Sequence, residues 1–339
     1  MSGSLRVTVA GAGALGLATS LALADAGASV VVCDPDHPVA NASSVAAGML
    51  APAFEAVLDE AARPHFDVLL AARDLWPGLA ERAGVALRRD GAMAVGDDAW
   101  LQGVADRFAQ LGLHPAELPA ATASALAPGL APAWPRALLT REDWRLDAVQ
   151  ALAALRAAAE AAGVIFRREV VTGRGDADLL VVGTGAGSSQ LAPELSVLSP
   201  IKGHILRAAA PWAAGVTVRG QGAYAAPGEN VMTVGATMEP GVADAAVDPA
   251  KAEPLRAAAA RLFPALADAP FDLAAGVRAA TPDGLPLVGL SAEPGVILAA
   301  GARRNGWLLA PLVARLVTAY ASGREPGAHA ALMDPRRFT

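Results

Sequence analysis

The sequence predicts an α/β fold in two interleaved domains, one built on a parallel sheet wound with helices and one an α+β unit built on an antiparallel sheet. Three observations carry that prediction. A strand, glycine turn, helix and second strand open the chain. A hydrophobic strand ending in a glycine turn returns at residues 178–188, and another follows near 296. The intervening stretch from 200 to 240 is dense in short β-type runs. A chain of 339 residues is long for one ordinary domain and suits two.

The elements read in order as follows. Residues 5–10 (LRVTVA) form a buried parallel strand, LATSLALADAG a helix closing on Gly27, and ASVVVCD the next strand. The small-residue segment NASSVAAGMLAP occupies 41–52. Residues 54–83 are helical by pattern, with an interruption near Trp76-Pro77. Residues 85–95 (VALRRDGAMAV) read as a hairpin of two short strands, and 98–112 as a helix. HPAEL then begins a Pro- and Ala-rich connection. A helix at 146–162 ends at Gly163, short strands follow at 164–171, and DLLVVGTGAGS is the strand and turn at 178–188. IKGHILRAA, GVTVRG, GAYAAP and NVMTVGATM supply the β-rich stretch. A helix at 248–262 and a strand at 271–280 precede VILAAG, the turn ARRNG and the helix WLLAPLVARLVTAYASG.

Composition excludes several classes. Hydrophobic residues make up 54% and charged residues 18%, which is not the signature of a disordered chain. The net charge of −6 and the absence of any basic run longer than a pair argue against nucleic acid as a partner. Lysine occurs only at Lys202 and Lys251. The single cysteine, Cys33, lies in a hydrophobic strand pattern, reads as a buried inert thiol, and points to a reducing cytoplasm. Val7 to Ala24 is free of charge, but its glycines fit a strand, turn and helix better than a membrane helix of about 20 apolar residues, so no stable membrane insertion is expected. No metal is expected. His37, His65, His114, His204 and His329 are scattered and read as structural or solvent-exposed.

Gly11, Gly13 and Gly16 form G-x-G-x-x-G between the first strand and the first helix. The first glycine permits the tight turn, the second lets backbone approach a pyrophosphate, and the third lets helix pack closely on strand. Ala14 and Leu15 stand at the helix N-terminus, whose free N–H groups and positive dipole end suit phosphate. Asp34 ends the second strand at the spacing of a carboxylate that grips ribose hydroxyls, and no arginine follows it to receive a 2′-phosphate. This is a Rossmann-like dinucleotide signature. Alone it does not separate FAD from NAD.

SSVAAGMLAP at 43–52, PIKGHIL at 200–206, TVGATMEPG at 233–241, GVRAATPDGLPLVG at 276–289 and AAGARRNGWLLAP at 299–311 occur in one order. Together they resemble the D-amino-acid oxidase family of FAD-dependent oxidoreductases, and within it the glycine oxidases of thiamine biosynthesis. The resemblance runs from about residue 5 to 323. It implies an FAD-binding Rossmann-like domain from residues 1–84, 140–199 and 272–339, with an α+β substrate domain from 85–139 and 200–271. It implies that Ser43, Ser44, Ala47, Gly48 and Met49 line FAD, that Thr184 and Gly185 approach it from the middle of the chain, and that Val171 stands on its adenine side. Gly301, Asn305, Gly306 and Leu308 are implied to place backbone and a helix N-terminus against the flavin.

For substrate, the resemblance points to Tyr224, Arg278 and Arg304, with Met238 shaping the pocket. Arginine suits an amino-acid carboxylate because it offers two parallel N–H bonds. Arg278 lies in the apolar-rich strand FDLAAGVRAA, where a buried guanidinium must meet an internal acid or a ligand. The implied chemistry is hydride transfer from Cα–H of a small amino acid (glycine, sarcosine or a small D-amino acid) to flavin N5. Reoxidation by O2 gives hydrogen peroxide, and the imine hydrolyses. Three departures stand out. Residues 168–178 are short where relatives carry an extra β-meander. Gly222-Ala223 replaces bulkier residues before Tyr224. Arg303 and Trp307 flank the RNG motif, where Arg303 competes with Arg304 for the carboxylate. A dehydrogenase with another electron acceptor, an NAD enzyme and a non-catalytic flavoprotein subunit remain as alternatives, and homo-oligomerisation is open.

Overall fold

Apolar runs with no polar face demand cover on both sides. The strand Arg6–Ala10 accordingly lies in the middle of a sheet, parallel to Ser29–Cys33 on one side and to Leu179–Val182 on the other. The computed structural model describes residues 4–36, 41–187 and 189–338. Its first sheet has six strands, ordered Leu287–Leu290, Val296–Ala300, Leu179–Val182, Arg6–Ala10, Ser29–Cys33, Ile165–Arg167. Only the Leu287–Leu290 edge runs antiparallel. Segments from the start, middle and end of the chain thus build one sheet. Val7 to Ala24 divides into strand and helix, and among the described residues no helix is long and apolar enough to cross a membrane.

The helices Ala14–Asp25 and Gly306–Ala321 pack against each other, and both join the main core. Trp76 lies at its centre, fully buried, donating from Nε1 to the carbonyls of Trp307 and Leu308 at 3.0 and 3.3 Å. The helical stretch expected from 54 to 83 is three helices, Pro52–Leu58, Phe66–Asp74 and Trp76–Ala83, and Pro77 sits in the first turn of the last, where its missing N–H is harmless.

The second sheet has nine strands and is antiparallel except where Thr217–Gly220 runs parallel to Ala92–Ala94. It corrects the sequence reading in three places. The expected hairpin at 85–95 does not form. Ala92–Ala94 is a strand with all three residues buried, while Arg88 makes a two-way backbone bridge to Arg145 instead. The stretch read as a Pro- and Ala-rich connection contains the strands Ala116–Pro119 and Arg136–Thr140, which pair with each other. The domain boundary expected at 272 falls inside a strand. Phe271–Ala280 pairs along its whole length with Ser199–Ala209, so the first domain's sheet resumes only at Leu287. Residues 168–178 contain no strand, in keeping with their shortness.

Cys33 is buried and its Sγ lies 3.2 Å from Glu169 Oε1. Burial, reinforced by that carboxylate, pushes its thiol up to about 11. The native protein is therefore expected to resist a disulfide-exchange reagent at pH 8 and to release one thiol equivalent only on unfolding. Fast labelling of the native state would contradict this placement.

Candidate active site

At the cofactor end, Gly11 adopts φ +103°, and a Cβ there would stand 2.5 Å from the Gly183 carbonyl oxygen. A Cβ on Gly16 would stand 2.0 Å from the Gly11 oxygen. These two positions let the turn press against the end of the 179–182 strand and bring Thr184 and Gly185 beside it. Gly13 caps the first helix with no side-chain bond to it, so the helix N-terminus carrying Ala14 and Leu15 is open on that side. Asp34 Oδ2 accepts from Ala12 N at 2.7 Å, and Oδ1 accepts from Asp36 N at 3.0 Å. Those bonds fix the carboxylate and leave lone pairs for hydroxyl donors. Arg168, distant in sequence, donates to Pro35 O at 3.0 Å, so an arginine does approach this end in space.

A four-residue helix, Ala42–Val45, bridges the two ends. Ser43 Oγ accepts from Ala14 N at 3.0 Å, and Ser43 O accepts from Trp307 Nε1 at 2.9 Å. Arg207, from the second sheet, donates to Ser44 O at 2.6 Å. Gly48 follows at φ +69°, where a Cβ would meet the Leu146 oxygen at 2.1 Å. Ser43 Oγ holds the Ala14 N–H, and the remaining N–H groups of the helix end, beside small residues, fit a dinucleotide pyrophosphate. Gly301 also needs positive φ, +86°, and Asn305 and Gly306 begin the last helix. Leu308 is fully buried in the core, so its side chain is not at the site. Val171 packs beside the Leu180 and Val182 cluster, away from the cavity lining.

The structure gathers the other expected residues around one cavity of about 380 Å³. Ala47, Gly48, Met49 and Asn305 line it with Tyr224, Arg278, Arg304 and Met238. Met238 is exposed at 38%, so it is a wall of the cavity and not core packing. Tyr224 is buried, and burial holds its phenol above its ordinary value, so the hydroxyl stays a donor.

The arginines differ sharply. Arg304 donates to Glu55 Oε1 at 3.2 Å and to Asp59 Oδ2 at 3.5 Å, and the Glu55 charge raises it further against the pull of burial. Arg303 also pairs with Asp59, so in this geometry it is not free to compete for a substrate carboxylate. Arg219 donates to the same Glu55 oxygen at 3.2 Å. Arg278 has no ion pair among the described residues. Its sole hydrogen-bond contact is Nη1 to Met238 Sδ at 3.8 Å, and burial lowers its guanidinium below the usual value. A half-buried cation without a carboxylate partner favours an anionic ligand.

Sequence reading passed over Glu55, Asp59, Arg219 and Asp143. The signal was present: Glu55 and Asp59 stand four apart in an apolar run, which puts both on one helix face. Asp143 is nearly solvent-free and accepts from Ala53 N at 2.8 Å and Phe54 N at 3.1 Å, which anchors the helix bearing Glu55. Of the histidines, His204 is fully buried and structural. Its Nε2 accepts from Asp248 N at 3.0 Å, so Nδ1 carries the proton toward Glu239 at 2.8 Å. His37 lies outside the described residues.

Burial pushes Asp143 up to about 7, outweighing the Arg219 charge and the two N–H bonds. A carboxyl raised on folding binds more protons folded than unfolded. Its contribution to stability is full below its unfolded value of about 4 and is lost as pH rises through about 7. Asp143→Asn should therefore flatten the dependence of Tm on pH between about 4 and 7. It should also lower stability by about 1–3 kcal/mol, since an amide NH2 then faces one of the two N–H donors. An unchanged pH profile would count against this.

The family model for FAD-dependent oxidoreductases matches residues 6–320. A glycine oxidase of Pseudomonas aeruginosa is 30% identical, with 99% of this chain and 98% of that one covered. A putative thiamine biosynthesis oxidoreductase of Rhizobium etli is 32% identical, covering 91% and 94%. The crystal structure of glycine oxidase from Geobacillus kaustophilus matches with a TM-score of 0.87 at 28% identity, covering 98% and 99%. A glycine turn fit for a pyrophosphate, a cavity beside it, and agreement over almost the whole length of chain and relatives place the protein in the family of FAD-dependent oxidoreductases.

Proposed function

We propose that this enzyme oxidises the amine-bearing carbon of a small amino acid, glycine first and sarcosine or a small D-amino acid next, with O2 as the electron acceptor and hydrogen peroxide as product. One observation carries the reading: Arg278 faces the cavity with its charge uncompensated, while every other arginine beside it already holds a carboxylate. The names of the relatives support glycine as the leading substrate and a place in thiamine biosynthesis. A cytoplasmic setting belongs to the same proposal and rests on the buried, unpaired Cys33.

Residues fit for FAD are Gly11, Gly13, Ala14 and Gly16 at the pyrophosphate, Asp34 at the ribose, and Ser43, Ala47, Gly48, Met49, Asn305 and Gly306 toward the flavin. When bound, FAD supplies the two-electron acceptor for the carbon–hydrogen bond beside the amine. Arg278 holds the substrate carboxylate through two N–H bonds, which fixes the amine-bearing carbon at a set distance from the Met49 wall. The Tyr224 hydroxyl donates to the same carboxylate. Glu55 and Asp59 ion-pair Arg304, Arg303 and Arg219 and so weaken each as a rival anion site. Burial of Tyr224 limits competing water on its side of the cavity. Gly222 and Ala223 leave one rim of the cavity without bulk, which admits an N-substituent such as the methyl of sarcosine.

Arg278→Ala is expected to weaken amino-acid binding by about 2–5 kcal/mol while the protein stays yellow. A substrate panel with peroxide detection reads this, and unchanged affinity for glycine would remove Arg278 from the clamp. No peroxide on oxidation of any small amino acid would favour a different electron acceptor. Gly13→Val should purify colourless, because its branched side chain would crowd Ser43 Oγ, which a Cβ alone would approach to 3.1 Å, and fill the open helix end. Full FAD loading of that variant would refute the placement of the pyrophosphate.

A further inference from the structure

Two glycines in the cavity wall are not explained by positive φ. Gly203 and Gly235 are both absent from the positive-φ positions of the chain, unlike Gly222 at +84°. Each sits on a strand of the second sheet where a Cβ would occupy the volume of a cavity side chain. At Gly203 a Cβ would stand 2.1 Å from Arg278 Nη1, 2.6 Å from Nη2 and 2.7 Å from Cζ. At Gly235 it would stand 2.3 Å from the Tyr224 hydroxyl oxygen. The register explains the first overlap. Gly203 pairs with Gly276 and Ile201 with Arg278, so the Arg278 side chain runs over the neighbouring strand and its guanidinium lies across Gly203.

We propose that Gly203 is a positioning residue for Arg278: the missing side chain is the seat on which the guanidinium rests, and any larger residue there turns the cation out of the cavity. Arg278 has no carboxylate of its own to hold it. Its direction is set by packing, and Gly203 is where the guanidinium crosses the neighbouring strand. Arg304 needs no such seat, because Glu55 and Asp59 fix it by ion pairing. The inference deepens the reading of Arg278 as the carboxylate clamp and rests on it for the ligand-binding arm alone.

The experiment is a double-mutant cycle on FAD-loaded protein, combining Gly203→Ala with Arg278→Ala. It is read by Tm and by the acetate concentration that half-saturates the change in the flavin's visible spectrum. Gly203→Ala by itself is expected to shift Tm, because the guanidinium must move, and to weaken acetate by about tenfold or more. In the Arg278→Ala background the same substitution should leave Tm unmoved and the already weak acetate affinity unchanged, because the group it collides with is gone. Equal effects in both backgrounds overturn the proposal, and so does a Gly203→Ala protein indistinguishable from the parent. If Gly203→Ala does not fold, the double variant decides. It must fold and load FAD as Arg278→Ala does, and its failure overturns the proposal. The Tm arm involves no ligand, so it stands apart from the clamp itself, which fails if Arg278→Ala alone binds acetate as the parent does.

Discussion

Charge compensation around a partly buried cavity governs how this site is built. A buried ion without a partner is destabilising by several kcal/mol, so each must find a counter-charge in the protein or in a ligand. Glu55 and Asp59 are shared among Arg219, Arg304 and Arg303, two carboxylates against three guanidinium groups. Asp143, itself too buried to ionise readily, fixes the helix from which Glu55 projects. Among the described residues Arg278 is the arginine of the cavity with no ion pair. The cluster thus carries positive charge beyond its carboxylates, which suits an anion, and the proposed clamp places that anion at Arg278.

How much of this could be read from the chain follows from the range of each signal. Local patterns sufficed for the first strand, turn, helix and second strand, because three glycines and Asp34 act within one short unit. They also sufficed for the last helix and for the β-rich middle. They failed at the 85–95 segment, where Arg88 pairs with Arg145, a residue far along the chain. They failed again at Arg136–Thr140, a strand that exists because Ala92–Ala94 and Ala116–Pro119 flank it. The boundary at 272 was misplaced for the same reason, since pairing with Ser199–Ala209 is invisible to periodicity.

The site shows the same division. Tyr224, Arg278, Arg304 and Met238 were legible through motif resemblance, and they do meet in one cavity. What resemblance did not convey is that Arg304 is already neutralised while Arg278 is not. That difference depends on Glu55 and Asp59, which lie on a separate segment more than two hundred residues away. Residue type announces a cation. Only the folded neighbourhood says whether its charge is still available. Leu308 shows where its motif can act: its side chain belongs to the core, so only its backbone is left to face the flavin.

The four residues of the Ala42–Val45 helix explain how two domains woven from alternating segments keep one geometry. Ala14 at the dinucleotide turn and Trp307 at the start of the last helix both bond to Ser43, while Arg207 of the antiparallel sheet bonds to Ser44. Trp307 is in turn held through its carbonyl by Trp76 in the core. A shift of the substrate sheet relative to the nucleotide turn would therefore break bonds at a buried joint, each an unsatisfied polar group costing about 1–3 kcal/mol. The same joint carries Ala47, Gly48 and Met49 directly into the cavity wall. Distance between the cofactor turn and Arg278 is thus set by hydrogen bonds to main chain and not by the softer contact of two sheets. Such rigidity is what a reaction needs when its protein partner contributes position more than acid–base chemistry.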